Sequence, residues 1–132
     1  MSKKIKIVTN AAPPAIGTYT QAIRAGELVF LTGQTGRSHE NGDLAEGLEA
    51  QTRCMLHNID AILTAAGCSR EDLVKVTLLL ADIKDFKAVD EMYVHWLPDR
   101  GEAAHPTRTA FQAAALPAGA LVMMDVVALF PG

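Results

Sequence analysis

Residues 73–97, LVKVTLLLADIKDFKAVDEMYVHWL, hold two kinds of periodicity in succession, and their reading decides the fold class. Leu73-Val-Lys-Val-Thr-Leu-Leu-Leu80 is β-branched at its start and apolar throughout its end, the pattern of a central strand. Asp85 then stands where it can cap a helix whose apolar stripe is Phe86, Val89, Tyr93, Trp96 and Leu97, until Pro98 ends it. A strand followed at once by an amphipathic helix belongs to a layered sheet-and-helix domain.

Toward the N-terminus the same logic finds a second helix. Leu44, Leu48, Met55, Ile59, Ile62, Leu63 and Ala66 recur at helical spacing, with Asp43 placed to cap the start and Gly67 the end. Leu28–Leu31, bounded by Gly26 and Gly33, reads as a buried strand, residues 33–43 as a loop, and residues 5–8 as a short first strand. Pro13 and Pro14 force irregular chain after it. Toward the C-terminus, Pro106 opens an extended segment at 107–113, and Leu116-Pro-Ala-Gly119 turns the chain into a last strand at 121–130. The expected order is β-β-α-β-α-β-β: an α+β domain over residues 1–132 with two helices on one face of a mixed sheet.

The strands expected at 28–31, 78–81 and 121–129 are nearly continuous in apolar residues, whereas a sheet with one wet face alternates polar and apolar. Two helices cover one face only. Another copy of the chain is the economical cover for the other face, so a homo-oligomer is expected. The 132 residues, 49% apolar and 20% charged, suffice for one packed core and carry no compositional mark of disorder.

Composition also removes functions. Twelve Lys and Arg against fifteen Asp and Glu give a net charge of −3, and no basic run exceeds Lys3-Lys4, so no nucleic acid partner is expected. There is no apolar signal core and no run long enough to span a membrane, so a soluble cytoplasmic protein with no membrane partner is expected. Cys54 and Cys68 lie 14 residues apart, roughly 21 Å of rise if helical, too far for a disulfide. They match no zinc spacing, and His39, His57, His95 and His105 form no metal pair, so no metal is expected. Serine-hydrolase, dinucleotide and phosphate-loop fingerprints are missing as well.

Three features remain as candidates. Arg108 sits in a Thr-Arg-Thr strand segment whose same-face neighbours, Ala110 and Gln112, are not acidic. Its planar fork fits a carboxylate in bidentate fashion, so its partner is either an anionic ligand or a carboxylate such as Asp125 or one from another subunit. Gly33-Gln-Thr-Gly36 is either a strand end needing permissive backbone or a place where backbone approaches a ligand. His105, three residues before Arg108, is either structural or part of a site.

As a set, the motifs Ala15-Ile16-Gly17-Thr18-Tyr19-Thr20-Gln21-Ala22, Leu28 to Gln34, Asp82-Ile83-Lys84-Asp85-Phe86, Pro106-Thr107-Arg108-Thr109 and Ala115-Leu116-Pro117 resemble those of the RidA/YjgF family, in order and over almost the whole chain. The resemblance implies a chorismate-mutase-like α+β fold assembled as a homotrimer, with ligand sites in clefts between subunits. It implies hydrolysis of reactive 2-imino and enamine acids, such as 2-aminoacrylate and 2-iminopropionate, to 2-oxo acids and ammonia, with no cofactor. Arg108 falls on the family's catalytic arginine, which holds the substrate carboxylate. Tyr19, Thr32, Gly33, Phe86 and Ala110 fall on substrate-binding positions, Ala110 where many members carry cysteine.

The family's water-orienting glutamate falls on Met123, which has no oxygen with which to align water. Asp125, two residues on, matches a second family acid, and His105 is a candidate substitute as water partner. Gly36 replaces a usual proline. The departure at Met123 keeps two other readings open: a non-catalytic trimer that binds or senses small carboxylates, and a dedicated pathway deaminase for a larger enamine.

Overall fold

The computed structural model describes residues 3–99 and 105–132. The described residues form seven strands and two α-helices, in the order β1 (Lys4–Ile7), β2 (Ala22–Ala25), β3 (Leu28–Leu31), β4 (Gln34–Thr35), α1 (Leu48–Ala65), β5 (Leu73–Leu80), α2 (Phe86–Trp96), β6 (Thr107–Gln112) and β7 (Val122–Leu129). The sheet order is β1-β2-β3-β7-β5-β6, with β4 also on β7. Only β5 and β6 run parallel; the other pairings are antiparallel, so the sheet is mixed. The α+β arrangement with two helices is as expected.

Two strands escaped the sequence. Ala22-Ile-Arg-Ala25 lacks the run of β-branched residues that marks a strand, yet it pairs with β1 on one side and, through a two-residue turn at Gly26, with β3 on the other; the Gly26 φ of 64° suits such a hairpin. Gln34–Thr35 lies in the expected loop and pairs with Met124 and Met123 of β7.

The helix starts also differ from expectation. Leu44 does not begin α1: it bridges to Arg37, and the chain passes Gly47 at φ 87° before the helix opens at Leu48, so Asp43 caps nothing helical. Asp85 makes no side-chain cap either; Asp82 caps the 3-10 turn ahead of α2 by accepting from the Lys84 N–H at 2.9 Å. Gly67 ends α1 as expected. At φ 79° it lets Cys68 N–H reach the Leu63 carbonyl at 2.9 Å and its own N–H reach Thr64, a Schellman closure.

The core lies between the helices and one sheet face, where Met55, Ile59, Ile62, Leu63 and Val89 meet Val76, Leu78, Leu80, Val122, Met124 and Val126. Asp60 of α1 locks the second helix end by accepting from Arg70 Nε and Nη2, each at 2.8 Å, and from Trp96 Nε1 at 3.0 Å. Among the described residues no helix lies over the reverse face. Leu28, Phe30, Phe111 and Leu129 are each 37–46% exposed there.

Candidate functional site

Arg108 lies on β6, the edge strand, in register with Val76 of β5 and therefore on the side of the sheet that faces the helices. There its guanidinium donates through Nη1 to Asp90 Oδ1 of α2 and lies over two aromatic rings, Phe86 at 4.9 Å and Tyr93 at 5.8 Å. Phe86, Asp90 and Tyr93 stand four and three residues apart on one stripe of α2, so the helix presents a ring, a carboxylate and a ring to the same cation. Asp125 cannot be its partner. It pairs with Thr77, which pairs in turn with Thr109, and so it sits on the opposite face from Arg108.

The Arg108 side chain keeps 32% of its surface, so one edge of the fork is held by Asp90 while others remain open. Burial pushes the Tyr93 phenol above its ordinary pKa; the charge of Arg108 opposes this and that of Asp90 adds to it. Ala110, two residues along the same face, packs against the core. Gln112 accepts the Ile83 N–H at 2.9 Å and fastens β6 to the start of α2.

A second group of expected residues gathers elsewhere. Tyr19, Thr32, Gly33 and Met123 line a cavity of about 360 Å³ together with Gln34 and Arg37. Thr32 Oγ1 donates to the Thr20 carbonyl at 2.5 Å, leaving the hydroxyl oxygen as an acceptor. Gln21, 2% exposed, shapes the wall by accepting the Thr9 N–H at 2.7 Å and donating to the carbonyls of Thr9, at 3.0 Å, and Pro13, at 2.8 Å. Tyr19 is 46% exposed and also borders a shallower depression with Ile23 and Phe30.

The glycine pair has a different reason from either one expected. Neither Gly33 nor Gly36 takes a positive φ. A Cβ on Gly33 would meet the Met123 side chain, at 3.4 Å from Cγ and closer to Cε, and a Cβ on Gly36 would strike the Gln51 backbone of α1. Both glycines exist for close packing, one of them against the side chain in the glutamate's place.

The two groups do not meet within one chain. Following the registers, Met123 pairs with Leu79 and Arg108 with Val76. That separates them by two strand spacings, about 10 Å, and three residues along the strand, about another 10 Å, on opposite faces. His105 is exposed ahead of β6, at the far end of the sheet from Met123, roughly 20 Å along the strand direction. Cys54 and Cys68 are free, and desolvation by burial raises the pKa of each thiol, which disfavours thiolate chemistry. Among the described residues, no group of three or more His, Cys, Asp or Glu is placed to hold a metal ion.

Asp90, Gln21 and Arg37 are the site residues that sequence reasoning missed. Asp90 had a readable signal: it is the acid set into the apolar stripe Phe86–Tyr93, one turn after Phe86. Gln21 and Arg37 had none, because both act through loops that fold back on themselves.

Comparison with known proteins agrees with these motifs. Residues 9–130 match the family model described as Endoribonuclease L-PSP. The chain is 42% identical over 127 residues to the chloroplastic Reactive Intermediate Deaminase A of Arabidopsis thaliana, covering 96% of this chain and 66% of that longer protein. It is 40% identical over 124 residues to the 2-iminobutanoate/2-iminopropanoate deaminase of Capra hircus, covering 93% and 88%. The crystal structure of E. coli TdcF with bound serine superimposes with a TM-score of 0.88 at 34% identity, over 95% of this chain and 98% of that one. Deaminase-like in sequence over nearly its whole length, and matched in fold to the same group, the chain belongs to the RidA/YjgF family.

Proposed function

We propose that this chain is a hydrolytic deaminase of reactive 2-imino and enamine acids of the 2-aminoacrylate/2-iminopropionate type, working as a homotrimer of chorismate-mutase-like protomers. The observation that carries the reading is the setting of Arg108: a guanidinium fixed by Asp90, Phe86 and Tyr93 on the edge strand, with part of its fork still open. Such a group receives a carboxylate with little further ordering. The names of the relatives support the same chemistry.

The separation of the two residue groups supports a shared site. A second copy that brings its β6 edge to the Tyr19–Thr32–Gly33–Met123 cavity completes the constellation, and the bare sheet face supplies apolar surface for that contact. Two free thiols suit a reducing, cytoplasmic setting. Among the described residues no helix is long and apolar enough to cross a membrane.

The reaction asks little of the protein. The imine carbon is already electrophilic. Water adds its oxygen there and one of its protons passes to the nitrogen; the second follows as the C–N bond breaks and the C=O bond forms, leaving a 2-oxo acid and ammonia. Positioning supplies the catalysis: Arg108 holds the carboxylate and an acceptor aligns the water. Met123 offers that water only a weak sulfur acceptor. The Thr32 oxygen offers a stronger one, since its own proton is committed to Thr20.

The test is the loss of 2-iminopropionate, generated by an amino-acid oxidase and trapped with semicarbazide. Wild type should accelerate it, and Arg108→Ala should return it to the uncatalysed rate with assembly intact. Equal turnover by the two would overturn the role of Arg108. Met123 favours one competing reading. An inactive wild type that binds 2-oxobutyrate, and gains turnover in Met123→Glu, would make the chain a carboxylate-binding module. A dedicated pathway deaminase acting on a larger enamine would turn over that enamine in preference to 2-iminopropionate. A nuclease role finds no basic track at a net charge of −3.

A further inference from the structure

The arginines of this chain are not equivalent. Arg53 pairs with Glu49, Arg70 with Asp60 and Arg108 with Asp90, while Arg24 lies over the Phe130 ring at 3.7 Å. Arg37 has no carboxylate within ion-pair distance among the described residues. Its side chain makes one long bond, from Nη2 to the Pro14 carbonyl at 3.3 Å, which leaves most of its donors free. It lines the cavity of Tyr19, Thr32, Gly33 and Met123, and it is the one charged side chain among the lining residues.

The backbone that carries it is built rather than loose. Asn58 of α1, fully buried, donates through Nδ2 to the carbonyls of Thr35 at 3.2 Å and Arg37 at 2.8 Å. Gly36 between them packs directly on the Gln51 backbone, and Arg37 bridges to Leu44. The rim of the cavity is therefore fixed from three sides. It aims a half-buried, uncompensated cation at a space of about 360 Å³, within the size range of small-ligand sites and far more than a three-carbon imino acid fills.

We propose that Arg37 is a second anion contact of this cavity and directs the enzyme toward 2-imino acids that carry a further, distal carboxylate. This rests on the deaminase reading above and names its substrate class. The substrate's first carboxylate engages the Arg108 that a second copy brings to the cavity, a charge that Asp90 already offsets. The distal one meets Arg37, whose charge no protein acid among the described residues offsets. A charge-assisted, fork-shaped contact in a partly dry cavity separates dicarboxylates from monocarboxylates in a way that apolar walls such as Met123 cannot.

The experiment compares 2-iminoglutarate, generated from L-glutamate by glutamate oxidase, with 2-iminopropionate, generated from alanine, in the wild type, Arg37→Gln and Arg37→Lys. Gln keeps a donor for the Pro14 carbonyl and removes the charge; Lys keeps the charge. The expected result is a higher kcat/KM for the dicarboxylic imine in wild type. The ratio of the two kcat/KM values should fall about tenfold in Arg37→Gln and recover in part in Arg37→Lys. A wild type that does not favour the dicarboxylic imine, or a ratio that Arg37→Gln leaves unchanged, overturns the proposal. If wild type hydrolyses no imine, the deaminase reading fails, and calorimetry decides the charge preference alone. Tighter binding of 2-oxoglutarate than of 2-oxobutyrate, lost in Arg37→Gln, upholds the second anion contact, and equal binding overturns it.

Discussion

On β7, Val122, Met124, Val126 and Ala128 are at most 1% exposed beneath the two helices, whereas on the reverse Met123, Asp125 and Val127 are half-buried and Leu129 is 46% exposed. The two faces carry similar apolar content and meet different surroundings. The registers show how far the difference extends: Phe30 pairs with Val127, and Leu79 with Met123 on one side and Phe111 on the other, so the bare face carries apolar side chains on four strands, divided by the polar row of Asp125, Thr77 and Thr109. One face is closed by this chain's own helices. The other is apolar on either side of that polar row and has no cover from within the described chain, which is the character of a subunit interface.

The sharpest way to break this comparison is a pair of neighbours. Met124→Ala should destabilise the protein by about 2–5 kcal/mol, because it empties packed space that little can refill. Met123→Ala, facing the cavity beside Gly33, should cost under about 1 kcal/mol in the same urea titration. Equal losses would mean that the two faces are packed alike. A second comparison uses Phe30→Asp, which places a charge on the bare face. We expect the folded chain to survive while self-association weakens by roughly 2–3 kcal/mol, read as a concentration-dependent shift to monomer by sedimentation, with turnover lost alongside. A variant that stays assembled would remove that face from the interface.

The legible parts of the fold were those where one periodicity runs long enough to speak for itself. β5, β7, the α2 stripe and the Gly67 stop all appear in the sequence as they do in the structure. β2 and β4 were not legible, because four or two residues of mixed character become strands only through the neighbours that pair with them. Leu44 continues a helical spacing with Leu48, and nothing in that spacing shows that Gly47 turns the chain between them. At the site, Arg108 and its need for an anionic partner were visible, but not which carboxylate would come. Asp125 is near in pattern and lies on the wrong face; Asp90 is 18 residues away and lies in contact. The gathering of Arg37 with Tyr19 and Thr32 depends on Asn58 reaching back from α1 to a loop over 20 residues earlier, a contact with no periodic trace.

The helix-covered edge allows a finer test. Asp90→Asn keeps the shape beside Arg108 and removes the charge that offsets it. The pair is about a third exposed, so water screens much of its energy and the effect is modest. KM for 2-iminopropionate should fall about threefold as the guanidinium turns its full charge to the substrate. A KM that instead rises toward that of Arg108→Ala would make Asp90 a support that Arg108 cannot stand without.

The smallest effect belongs to pH, and again the covered side carries it. Burial raises the pKa of the Tyr93 phenol and of the Cys68 thiol in the folded protein; for Cys68 the nearby charge of Asp72 adds to the rise and that of Arg24 opposes it. A group whose folded pKa lies above its unfolded value binds the proton more tightly when folded, so its contribution is complete at lower pH and is lost as pH rises. The unfolded thiol ionises near pH 9 and the unfolded phenol near 10, so urea midpoints should hold level through neutral pH and fall from about pH 9 upward. Burial raises the Cys54 thiol as well, so Cys54→Ala and Cys68→Ala together should remove the earlier part of that fall and leave the later part, which Tyr93→Phe should remove in turn. A midpoint that rises with pH across this window would mean that these groups ionise more readily in the folded protein than in the unfolded chain, and that the side of the sheet read here as dry admits water.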